Sequence, residues 1–359
     1  MASFYQATRM KENMVKMLLQ QQGIMGIGVG YADPRHPEKG AAVILYTLKS
    51  ISGETENRLA EAAAQLSKEH VPLRRIVSGH FLSRHATGKA SRRVAQFRGR
   101  IRPLPAGYSI GTQNPTISGT AGLIVIDTSI NQLFILSAGS VLNRNNSFGF
   151  SVTLQPGPAN GGRQLADVIG GLERIHVLRS TGNLLDAGLA SPLDNRVLSP
   201  TYAGVGSLPG HVTGYRVGEQ FKKSGSASGQ VQGVVEAVNV TINVNFGTYG
   251  GLGIVQFVNQ SIIRSLTAAP ITFPGDAGAV WLRSNDNFAA AMEYASSTGG
   301  IRSVAYPVDR AMSLFNVRVA AGPRQSGRVK VVDNQRNYAY TRPLTRKQLE
   351  GIKVVSRRK

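Results

Sequence analysis

The sequence predicts a mainly β protein. A small α/β domain is expected over residues 1–83, a basic linker over 84–110, an all-β barrel or sandwich over 111–320, and a basic tail over 321–359. Three observations carry this reading. Glycine is abundant, at 41 of 359 residues, as suits many strands and turns. From residue 111 to 320 the apolar residues fall in short runs separated by Gly, Asn, Ser and Pro, with no long helical period between them. The charge sits at the two flanks and leaves the centre nearly neutral.

The elements follow in order. Residues 8–21 can form an amphipathic helix with Met10, Met14, Met17 and Leu18 on one side, which suits packing on its own domain. "GIMGIGVGY", 23–31, and "AAVILYTLK", 41–49, are strands around the turn cluster "ADPRHPEKG". "GETENRLAEAAAQLSKEH", 53–70, is the clearest helix. Glu54 and Glu56 lie in its first turn and Lys68 and His70 in its last, where the dipole favours them. "LRRIVSGHFLS", 73–83, is a third strand. The later strands are "GLIVID", "LFILSAG", "SVTLQ", "VVEAVNVTINVNF", "IVQFVN", "AVWLR" and "FAAAMEY".

The formal net charge is +21. Residues 1–110 carry 17 Lys and Arg against 7 Asp and Glu, residues 111–320 carry 13 against 11, and residues 321–359 carry 11 against 2. Basic flanks suit a polyanion, an acidic partner or simple solubility. The candidate contacts are Lys89, Arg92, Arg93, Arg98, Arg100 and Arg102 in the linker, and Arg346, Lys347, Arg357, Arg358 and Lys359 in the tail. Arginine pairs with phosphate bidentately, and Phe97, Tyr338 and Tyr340 offer stacking surfaces. Self-association is expected, with nucleic acid or an acidic protein as the alternative partner. The chain has no cysteine and no H-x-x-x-H spacing, so no metal or other cofactor is expected. It shows no signal-peptide pattern and no apolar run long enough to span a membrane, so a soluble, cytoplasmic protein is expected.

The chemistry-bearing motif is "PGDAG", 274–278. It resembles the nucleophile loop of trypsin-like serine peptidases, with Ala277 in the serine's place. "LFILSAGSVLN", 133–143, resembles their histidine tract, with Ser140 in the histidine's place. "NLLDAGLA", 183–190, resembles the aspartate tract, with Asp186 retained. "VGEQFKKSGSASGQ" resembles the Lys-Ser-Gly-Arg tract of bacterial members, with Ser226 for arginine. "GTAGLIVID", "AAAMEYASSTGG" and "VAYPVDRAMSLFNV" resemble further barrel segments, and residues 12–110 resemble the N-terminal domain and linker of a bacterial group.

The ordered set disfavours chance, and two replaced triad members favour a natural pseudoenzyme over an engineered knock-out. The resemblance implies a trypsin-like double β-barrel after a small α/β domain. Without a nucleophile at 277 or a base at 140, the chain is expected not to be an enzyme. It is expected to bind or self-assemble through its barrel and flanks, with polyanion binding or a displaced hydrolytic constellation as alternatives. The N–H groups of Gly275 and Ala277 are expected to persist as an oxyanion-hole remnant, since they need no side chain. Met292 is expected to crowd the adjacent pocket and leave the loop a relic for peptide binding.

Overall fold

The computed structural model describes residues 1–87, 96–113, 116–147, 149–322, 324–333 and 338–357. The chain opens with the helix Phe4–Leu18, started by a capping box in which Ser3 and Gln6 exchange side-chain and backbone bonds. Met10, Met14 and Leu18 are buried on the strands Ile24–Tyr31 and Ala41–Thr47, together with Ala62 and Leu66 of the helix Gly53–Lys68. The amphipathic stripe therefore packs on its own domain.

Two barrels follow. In the first, Ser109–Thr112, Val152–Leu154, Val168–His176, Gly188–Pro192 and Gln132–Ser137 pair in sequence around a ring. One bent run closes it: Ile117–Thr120 pairs with Ser109–Thr112, and Leu123–Asp127 pairs with Gln132–Ser137. In the second, the order is Gln220–Gly225, Val280–Arg283, Ala289–Ser297, Arg302–Pro307, Ile254–Ser265 and Gly229–Asn245, closed by pairing of the first with the last. Full closure removes exposed strand edges. The expected double β-barrel after a small α/β unit is the fold found. Ile24–Tyr31 pairs antiparallel with Gly229–Asn245, so the N-terminal sheet runs on into the second barrel.

One expectation needs correction. The single strand expected over 73–83 is two. Leu73–Val77 pairs with Ala41–Thr47, the chain turns at Gly79 with φ at +71°, and Phe81–Ser83 pairs with Ala295–Ser297 of the second barrel. The tail is packed: Arg328–Lys330 pairs with Gly210–Val212, and Val354–Ser356 pairs with Val168–His176. Leu344, Ile352, Val354 and Val355 lie partly buried against the main core.

Candidate functional site

Ser140, Asp186 and Ala277 sit where the two barrels meet. Ser140 belongs to the short helix Gly139–Leu142 that follows Gln132–Ser137, and Asp186 precedes the neighbouring strand Gly188–Pro192. Both strands are in the first barrel and pair directly, which brings the two side chains together. Ser140 donates twice to the carboxylate, through its backbone N–H to Oδ1 at 3.0 Å and its hydroxyl to Oδ2 at 2.6 Å. Asp186 is fully buried, and burial pushes its carboxyl up to about 6 against the opposing Ser140 bonds. The Tyr306 hydroxyl donates to the Asp186 carbonyl at 2.8 Å. These two positions form a closed hydrogen-bonded pair, and Ala277 presents a methyl group.

Ala277 lies in a tightly held loop of the second barrel. Asp276, buried, accepts from the backbone N–H groups of Ala227, Ser228 and Phe273 at 2.9–3.0 Å. Lys223 Nζ lies 3.6 Å from Asp276 and 2.6 Å from Glu293, and all three side chains are out of solvent. Burial pushes the Glu293 carboxyl up, and the Lys223 charge opposes it. Thr120 and Ser226 donate hydroxyls to the Gly275 carbonyl at 2.9 and 2.8 Å. Gly275 has φ at +112°, and a Cβ at Gly278 would overlap the Ser137 hydroxyl and the Thr120 carbonyl. Gly275, Asp276, Ala277 and Gly278 are each held by hydrogen bonds, and Pro274 is exposed.

The two N–H groups expected to survive as an oxyanion-hole remnant converge on one acceptor. Gly275 N donates to the Arg84 carbonyl at 2.7 Å, and Ala277 N donates to the same oxygen at 3.2 Å. Arg84 belongs to a segment, 81–87, that crosses both barrels. Upstream, Phe81–Ser83 pairs antiparallel with Ala295–Ser297, and Arg84 N donates to the Tyr294 carbonyl at 3.0 Å. Downstream, Ala86 and Thr87 pair antiparallel with Ser118 and Ile117 of the first barrel.

The Arg84 side chain enters a pocket formed by the end of the strand Ala289–Ser297 and the turn after it. Its guanidinium donates to Ser296 Oγ, to the Ser297 carbonyl at 2.6 Å and to the Thr298 carbonyl at 3.4 Å. It is 6% exposed, and among the described residues it forms no ion pair. Burial pushes its guanidinium below the ordinary value, while Glu293 and Asp276 act in the opposite direction. The expectation that Met292 crowds this pocket is corrected. Met292 lies in the barrel core, where its sulfur is 3.1 Å from the Tyr306 hydroxyl, and the pocket holds a whole arginine.

Sequence reasoning missed Arg84 because it placed the residue at the start of a charged linker. The readable signal was the Ser78-Gly79 break, which frees "HFLSRHAT" from the preceding strand. The described basic residues of the linker and tail engage separate partners. Arg98 donates to the Ser226 carbonyl, Arg100 pairs with Asp167 at 3.1 Å, and Arg102 donates to Gln155 and the Ile101 carbonyl. Arg346 pairs with Glu350, Lys347 is exposed, and Arg357 lies over the Phe150 ring. Lys89, Arg92, Arg93, Arg358 and Lys359 lie outside the described residues.

No protein-family model matches the chain, and no curated protein matches it. Solved structures similar to it include several proteases. A glutamic acid specific serine protease utilising a novel histidine triad in substrate binding is 22% identical, over 60% of this chain and 100% of that one, with a TM-score of 0.43. Thermobifida fusca protease A is 16% identical, over 61% and 99%, with a TM-score of 0.40. Nocardiopsis protease is 14% identical, over 60% and 98%, with a TM-score of 0.41. The expectation that the chain is not an enzyme is corrected: the solved structures it resembles are proteases. Among the described residues, no helix is long and apolar enough to cross a membrane.

Proposed function

We propose that this protein recognises a peptide in extended form, held across a protease-like double barrel with an arginine as its anchor. The observation that supports this most is the Arg84 carbonyl, which accepts from both Gly275 N and Ala277 N while its side chain fills the adjoining pocket. Three recognition elements lie on one line. A strand edge at Ala295–Ser297 supplies backbone pairing, a two-donor cradle fixes one carbonyl, and a pocket of neutral acceptors reads the guanidinium. A guanidinium offers several donors in a planar fork, which suits acceptors spread over three consecutive residues better than a lysine's single head does. Assembly or polyanion binding through the basic flanks draws less support. Arg98, Arg100, Arg102, Arg346 and Arg357 already have partners within the chain.

The test is calorimetric titration of the full chain and of its Arg84→Ala variant with eight-residue peptides containing arginine, and with the same peptides N-methylated along the backbone. Binding that N-methylation abolishes supports strand addition. Absence of binding to both proteins overturns it.

A further inference from the structure

We infer that segment 81–87 is an exchangeable latch: a partner peptide of the pattern aromatic–x–x–Arg–x–small binds the groove by displacing it. This rests on reading the groove as a peptide site, and adds both the recognition pattern and its regulation.

The pattern comes from which side chains the groove takes in. Phe81, Arg84 and Ala86 are 1%, 6% and 9% exposed, whereas Leu82, Ser83 and His85 are only partly covered. Phe81 meets Tyr46 edge-on, with centroids 5.8 Å apart, inside the main core. A displacing peptide must therefore bring its own aromatic residue, or it leaves an apolar hole. Ala86 is in register with Ser118 of the first barrel and is nearly covered, so a small residue fills that position. The inward residues stand at the first, fourth and sixth positions of the segment.

Exchange follows from how the arginine is held. Its charge is taken out of water against a hydroxyl and two carbonyls, without an ion pair among the described residues. Charge-assisted hydrogen bonds offset that desolvation but leave no large surplus. The segment also has the advantage of being covalently attached, which acts as an effective concentration on the order of millimolar. A free peptide meets a groove whose open fraction is small, and its apparent affinity falls by that fraction. Weakening the latch without touching the groove should restore the affinity.

The experiment is fluorescence anisotropy with a labelled peptide of the segment's own sequence, FLSRHATG, on the full chain. Arg84→Ala is expected to bind it at least 10-fold more tightly than wild type, and to lose at least 10-fold when alanine replaces arginine in the peptide. Equal binding by both proteins, with a thermal melt showing that the variant is folded, overturns the latch but leaves the peptide site standing. No binding by either overturns the peptide site itself. If Arg84→Ala does not fold, Arg84→Lys serves: a gain between those of wild type and a free groove supports the latch, and no gain refutes it.

Discussion

Asp186 is the residue whose environment has the clearest measurable consequence. Its carboxyl titrates at about 6 in the fold, because burial outweighs the two Ser140 bonds, against 3.8 for the ordinary group. A raised carboxyl favours the neutral form in the folded state. Its stabilising contribution is therefore complete below the ordinary value and is lost as pH rises through about 6. The difference corresponds to about 3 kcal/mol, at 1.36 kcal/mol per unit. Asp186→Asn keeps an acceptor for the Ser140 N–H and cannot ionise. Thermal melts across pH 3.5–7.5 should show wild type losing stability relative to the variant as pH rises, with the two curves parallel above pH 7. A constant difference between them would mean that folding does not raise the Asp186 carboxyl.

The loop 274–278 keeps its shape through buried partners contributed by neighbouring elements. Lys223, on the strand Gln220–Gly225, is the cation shared by Glu293 and Asp276. Lys223→Met leaves two carboxylates buried without a counter-charge, and should cost roughly 3–5 kcal/mol in chemical denaturation. Adding Glu293→Gln should recover part of that loss, because the two changes act on one network. A Lys223→Met protein as stable as wild type would remove the network from the account. At this scale the sequence was legible where a motif names its own backbone: "PGDAG" forms a tightly held loop, and the Lys-Ser-Gly tract ends the strand Gln220–Gly225. It was not legible where a strand changes sheets. Nothing in "LRRIVSGHFLS" except the Ser-Gly pair marks that Val77 ends one pairing and Phe81 begins another in a different barrel. The arginine pocket was hidden for a related reason: its acceptors are mostly backbone carbonyls, which leave no trace in side-chain identity.

Across the whole molecule, chain segments distant in sequence tie the barrels together. The tail adds a strand to each of the two large sheets, and Thr341 N donates to the Tyr215 carbonyl at 2.8 Å. Truncation after Arg342 removes the four partly buried aliphatic side chains that pack on the main core, Leu344, Ile352, Val354 and Val355. At roughly 1 kcal/mol for each half-buried chain, that is about 4 kcal/mol, and the melting temperature should fall by several degrees. An unchanged melt would mean that the tail adds nothing to the fold. Segment 81–87 joins the barrels more directly, because its ends pair with one barrel each while its middle carbonyl sits in the cradle. The most direct test of that arrangement is amide hydrogen exchange at Gly275 and Ala277 in the full chain. If Arg84 occupies the cradle, both amides exchange at least roughly 100-fold more slowly than in an unstructured peptide. Arg84→Ala keeps the carbonyl but loses the side-chain anchor that holds the segment, so protection should fall in that variant and rise again when FLSRHATG is added. Exchange at the unprotected rate in wild type would contradict the account.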